Sequence, residues 1–170
     1  GIVVGDSKQK KETIENLRQN RKEVTRGFQR MKKAFKSFQV QSTPLAVVLT
    51  EFSSTDSGVS KAIATLKNRD ICRAALRELS FRPNDFSRIG KLMNDHHRQL
   101  RRHLGISTPR IEAMIEAALS AGALGAKING SGLGGTMIAF APGREKPVIA
   151  AIEKAGGDAW VAHQSPGVVN

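Results

Sequence analysis

The chain has 170 residues, 39% of them apolar, one cysteine and a formal net charge of +12. That length and composition fit one domain with a proper core and exclude a disordered tail, while no apolar run reaches the roughly eighteen residues of a membrane span and no basic and apolar leader opens the chain. The lone Cys72 excludes an internal disulfide and fits a reducing compartment, so the expectation is a cytoplasmic protein with no membrane partner.

The charge is concentrated. Residues 8 to 36 hold eleven Lys or Arg against three Glu, a surface that attracts anions such as nucleic acid or phosphorylated metabolites. IVV at 2–4 reads as a strand ended by Gly5, Asp6 and Ser7. From there to about Phe38 the period is helical, with Ile14, Leu17, Val24, Phe28, Met31, Phe35 and Phe38 forming one apolar stripe that Arg21 interrupts. The aromatic residues lie on that stripe and not among the cations, which favours a solvated basic face over a nucleic-acid helix.

Thr43-Pro44 opens a short helix to about Phe52, and SSTDSG at 53–58 reads as a loop. Helical spacing then runs through Val59, Ile63, Leu66, Ile71, Ala75 and Leu79, with breaks whose positions the pattern leaves open. Cys72 falls on this stretch and is expected to be a small core residue. Pro83-Asn84-Asp85 stops the run and starts a helix over about 84 to 103, which Gly105 ends. Thr108 caps the next helix with Pro109 at its first position, where a missing N–H costs nothing. That helix runs to about Ala121, with Gly122 after it.

The last fifty residues change character. ALGAKIN (123–129) and TMIAFA (136–141) read as strands, REKPVIAAIEKAG as a helix despite Pro147, and DAWVAH (158–163) as a further strand. Strands and helices in this order indicate an α+β domain, a sheet layered against helices, with no linker long enough to divide residues 1–170.

GSGLGG joins two of those strands. It lacks the helix that a dinucleotide fingerprint needs after its last glycine, and Gly135 is followed by Thr136 without the lysine of a P-loop. Consecutive glycines still let backbone N–H groups converge on an anion or let another chain approach. A phosphate cradle and a plain strand connection both remain open on spacing alone. His96 and His97 are adjacent on a helix and point about a hundred degrees apart, which is wrong for a shared metal ion. They and His103 read as structural or solvent-facing, no metal site is expected, and no catalytic set emerges from spacing.

Three blocks carry a resemblance. Met93, Asn94 and His97 match M-N-x-x-H; Ser107 and Pro109 match S-x-P; Gly122, Ala123, Gly125, Ala126, Lys127, Gly130, Ser131, Gly132, Gly134 and Gly135 match G-A-x-G-A-K/R-x-x-G-S/A-G-x-G-G. In these blocks and their spacing the chain resembles the C-terminal half of the GHMP kinases, small-molecule kinases for galactose, homoserine, mevalonate and phosphomevalonate. Asp6-Ser7-Lys8-Gln9 stands where the family has N-S/T-x-V, a looser match. Within the family the closing AGGDAWVAHQSPGVVN and the MNDHH run look most like galactokinases and related sugar kinases, with mevalonate kinase next.

The resemblance implies an antiparallel sheet with a ferredoxin-like core and extra helices. It also implies an ATP- and Mg²⁺-dependent kinase that moves the γ-phosphoryl group to a hydroxyl of a sugar or another alcohol. The family's phosphate loop P-x-x-x-G-L-x-S-S-x-A, its catalytic aspartate and its Mg²⁺-binding serine belong to an N-terminal half, and none stands in this sequence. The chain is therefore expected to be one half of such a kinase, inactive by itself, with no catalytic residue or bound cofactor of its own and the N-terminal half as its partner. By the same resemblance Gly130, Ser131, Gly132, Leu133, Gly134, Gly135 and Thr136 lie near phosphate or substrate, and Ser7, His97 and Ser107 are candidates on the substrate side. Other readings are a non-catalytic ligand sensor and a basic nucleic-acid-binding module.

Overall fold

Alternating burial along IVVGD marks a strand with one covered face, and β1 spans Ile2–Asp6. The computed structural model describes residues 1–11, 14–52, 56–80, 83–163 and 165. Five helices follow β1: α1 (Ile14–Ala34), α2 (Leu45–Glu51), α3 (Ser57–Ser80), α4 (Phe86–Arg102) and α5 (Pro109–Ser120). Then come β2 (Gly125–Ile128), β3 (Thr136–Phe140), α6 (Glu145–Lys154) and β4 (Asp158–Ala162). The four strands form one antiparallel sheet in the order β2-β3-β1-β4, the expected α+β architecture, with α1–α4 additional to the α5 and α6 that pack on the sheet.

Register sorts the sheet into two faces. Val3, Ala126, Ile128, Met137 and Ala139 share one face and pack on Ile111, Met114 and Ala118 of α5 and Val148 and Ile152 of α6. The chemistry of the helix ends explains where these helices sit. Thr108 accepts from the Ile111 N–H at 3.3 Å with Pro109 at the first position, and Pro147 falls in the first turn of α6, whose N–H groups have no helical partner. Asp85 caps α4 by accepting from the Arg88 N–H at 3.0 Å.

A second core joins α1 to α3 through Met31, Phe38, Val48, Val59, Ala62, Ile63 and Leu66. Phe28 and Phe38 pack here as a tilted pair with ring centroids 6.0 Å apart, so these aromatics are spent on packing and offer no base-stacking platform. Between the two cores, α4 lies on β2 with Gly90 against Gly125. A Cβ on Gly125 would run into the Gly90 carbonyl oxygen, so only glycine permits this contact.

The structure departs from the sequence reading in several places. The long basic helix begins at Ile14 and ends at Ala34: residues 8–11 are not helical and run along the glycine loop instead, and Phe35–Phe38 form a turn that still carries Phe38 into the core. The first residues of its apolar stripe are not core: Ile14 is 76% and Leu17 40% exposed, because no described element packs over that turn. The run from Val59 to Leu79 is one continuous helix, α3, in which the apolar stripe changes face. Its first half packs on α1, while Ile71, Ala75 and Leu79 line a pocket with α4 and the sheet. The polar residues at that switch are spent on tertiary bonds, with Arg69 donating to the Val40 and Thr43 carbonyls at 2.5 and 3.0 Å and to Asp70 at 2.7 Å.

Cys72 is exposed rather than a core residue, since it sits on α3 just where the stripe turns. Of the 53–58 loop, residues 53–55 lie outside the described residues, as do 164 and 166–170 of the closing block. Among the described residues no helix is long and apolar enough to cross a membrane.

Candidate functional site at the glycine loop

The loop between β2 and β3 comes back against two other segments of chain. Gly130, Gly132, Leu133, Gly134 and Gly135 all have positive φ, from 55° to 105°, a backbone that glycine adopts without cost. Leu133 is the exception, and its N–H donates to the Ile106 carbonyl at 2.8 Å, which holds the turn in place. On the other side the Ser7 N–H and hydroxyl both donate to the Gly135 carbonyl, at 2.9 and 2.7 Å. The Gly135 N–H returns a bond to the Gln9 carbonyl at 3.3 Å, and Thr108 Oγ1 donates to Gln9 Oε1 at 2.6 Å.

The loop, the stretch after β1 and the turn before α5 thus form one surface. Gly132 cannot carry a side chain here, because its Cβ would enter the Ile106 carbonyl oxygen. The Lys11 side chain lies across Gly135, with its ammonium close above Gly130. Among the described residues the N–H groups of Ser131, Gly132 and Gly134 donate to no protein acceptor. Unpaired N–H groups beside a cation suit an anion. Thr136 opens β3, and Asn129 bonds it twice: N–H to carbonyl at 3.0 Å and Nδ2 to Oγ1 at 3.4 Å.

Two of the three substrate-side candidates meet at a residue that the sequence reading missed. His97 Nε2 lies 3.0 Å from Glu112 Oε1, Ser107 Oγ donates to the same oxygen, and Arg101 Nη1 lies 3.0 Å from Oε2. Glu112 therefore clamps α4 to the turn that carries Ile106 and Thr108, and so supports the loop indirectly. Ser7, 1% exposed, is likewise committed to holding Gly135. The only sequence sign of Glu112 is an acidic residue in the first turn of a helix, a common preference at helix N-termini. Lys11 carries no sign beyond its basic neighbours. On the far side of the turn Asn20 Nδ2 donates to the Leu104 carbonyl at 3.0 Å and ties α1 to it.

Burial pushes His97 below its ordinary range, with the Glu112 charge opposing the shift, and pushes His96 to about 4, aided by the Lys127 charge. Unfolded, both titrate near about 6.5. Between about 6.5 and about 4 the unfolded chain thus binds protons that the folded chain refuses, so stability is full above that window and falls as pH drops through it. The urea midpoint is expected to decrease from pH 7.5 to pH 4.5, and His96→Phe to flatten part of the slope. A wild-type midpoint constant across the window would contradict this reading of both histidines.

Among the described residues no group of three or more His, Cys, Asp or Glu is placed to hold a metal ion. The eleven cations of residues 8–36 include Arg18, Arg21, Lys22 and Arg26, which line an open groove on the solvent side of α1, away from its buried Gly27 and Met31.

The model for the C-terminal part of GHMP kinases matches residues 72–158. A stretch of 80 residues, 47% of the chain, is 48% identical to mevalonate kinase of Thermococcus gammatolerans and spans 24% of that protein. A stretch of 59 residues, 35% of the chain, is 42% identical to galactokinase of Mycobacterium bovis and spans 16% of it. These stretches therefore cover a quarter or less of the curated relatives. Among solved structures, Lactococcus lactis galactokinase complexed with galactose superposes with a TM-score of 0.80 at 17% identity, over 94% of this chain and 44% of that one. At that identity the likeness shows the fold.

Proposed function

The chain belongs to the GHMP kinase family, and we propose that it supplies the acceptor-side half of an ATP-dependent kinase whose other half binds the nucleotide. The observation that carries this is the glycine loop, fastened to Ser7, Gln9 and Ile106, with its remaining N–H groups and Lys11 on one surface. When bound, Mg-ATP supplies the phosphoryl group. Ser131, Gly132, Gly134 and Lys11 would face its phosphates or the acceptor, and this chain's share of catalysis is positioning and charge stabilisation. Ser7, Ser107 and His97 act as positioning residues in this reading, since their polar groups hold Gly135 and Glu112. The phosphate loop, catalytic aspartate and Mg²⁺-binding serine would come from the N-terminal half.

For the acceptor, the longer and more nearly identical stretch shared with a mevalonate kinase favours a hydroxy acid of the mevalonate type. This reverses the order of the motif-based expectation, which put galactokinase first. A sugar of the galactose type is the second reading, favoured by the galactokinase stretch. The test is phosphoryl transfer from ATP by the product of the complete gene, with mevalonate and galactose offered separately. Turnover on mevalonate is expected, and turnover on galactose alone would select the second reading. Binding of ATP and an acceptor with no transfer to either would sink the kinase reading in favour of a ligand sensor.

A further inference from the structure

The sheet face opposite α5 and α6 is only partly covered. Ile2, Val4, Ile138, Phe140 and Trp160 lie on it by register, and Ile2 and Trp160 are 43% and 47% exposed. The second half of α3 and the start of α4 lean over its Ile2–Phe140 end, which is the end of β1 and β3 away from the glycine loop. Between them is a pocket of about 390 Å³, within the rough 300–1,000 Å³ range of small-molecule sites. Leu79, Phe86, Met93 and Phe140 are among its walls, and the Phe86 and Phe140 rings meet edge-on at 5.5 Å.

One cation sits in this apolar lining. Lys127 is half-buried, and its ammonium donates to the carbonyl of its neighbour Ile128 at 2.6 Å; burial lowers its pKa, the Cys72 thiol in the same wall opposes that shift, and among the described residues no carboxylate pairs with it. A desolvated charge without a counter-ion is costly, and an anion supplied from outside would remove that cost. His96, also in the wall, is neutral at pH 7 because its pKa is about 4. Among the described lining residues Lys127 is thus the one positive group at pH 7, which suits a monoanionic carboxylate; a phosphate, with nearly two charges, would leave one unpaired.

We propose that this pocket binds an apolar carboxylate of the medium-chain fatty-acid type, with its chain among Leu79, Phe86, Met93 and Phe140 and its carboxylate paired to Lys127. The site lies apart from the glycine loop, and the proposal does not rest on the kinase reading.

Calorimetric titration of the full natural polypeptide with sodium decanoate tests it. Saturable one-to-one binding is expected, with octanoate roughly fifteenfold weaker for its two missing methylenes. Decanol, which lacks the charge, is expected to bind wild type at least about tenfold more weakly than decanoate. Lys127→Met should weaken decanoate by a similar factor and leave decanol unchanged. The decanol comparison needs no variant, so a poorly folding Lys127→Met does not shield the proposal. Absence of saturable decanoate binding overturns it, as does equal affinity of wild type for decanoate and decanol.

Discussion

Gly132→Val is expected to lower the unfolding free energy by about 3 kcal/mol and to abolish phosphoryl transfer in the complete enzyme. Two effects add. Residue 132 has φ of +76°, a conformation that costs a residue with a Cβ about 1–2 kcal/mol. The new Cβ would also enter the Ile106 carbonyl oxygen, a backbone atom held by the bond it accepts from the Leu133 N–H. Neither partner can move without breaking the contact between the loop and the turn before α5, and overpacking of this kind costs about 1–3 kcal/mol. Chemical denaturation and turnover, measured on the same preparation, check both halves. Wild-type stability with wild-type turnover would mean that the loop does not need the Ile106 contact.

The elements with local signals were legible in the sequence. Thr108-Pro109 marked the start of α5, Asp85 that of α4, and the two apolar runs on either side of GSGLGG marked β2 and β3. Continuity of α3 was not legible, because a stripe that changes face half-way looks like a broken helix to any test that assumes one face. Exposure of Ile14 and Leu17 depends on what lies beside α1, which its own period does not encode. The same reason hides Cys72, which belongs to a helical run of core-like residues yet is exposed, in the open pocket between α3, α4 and the sheet.

The candidate site divides in the same way. Its glycines were visible as a cluster, and a family resemblance raised them from a strand connection to a candidate site. What they are fastened to was not visible. The bond from Ser7 to Gly135 spans 128 residues of sequence and that from Thr108 to Gln9 spans 99. Glu112, the residue that joins His97, Ser107 and Arg101, lies among ordinary helical neighbours and becomes distinctive only when α4 and α5 are brought together. Long-range polar bonds have no period, so pattern reading passes over them.

In the proposed function the glycine loop is the phosphate- and acceptor-facing edge of this chain. Lys11→Met tests it most directly, because Lys11 is exposed and lies over Gly130 and Gly135 without an ion pair among the described residues, so its loss leaves packing intact. The measurement is kcat/KM for ATP of the complete enzyme at saturating acceptor, beside the thermal midpoint of each variant. A drop of roughly ten- to a hundredfold, about 1.4–2.7 kcal/mol of transition-state stabilisation, is predicted, with an unchanged midpoint and substantial recovery in Lys11→Arg. Unchanged kinetics in Lys11→Met would contradict the account and leave GSGLGG as a connection between two strands.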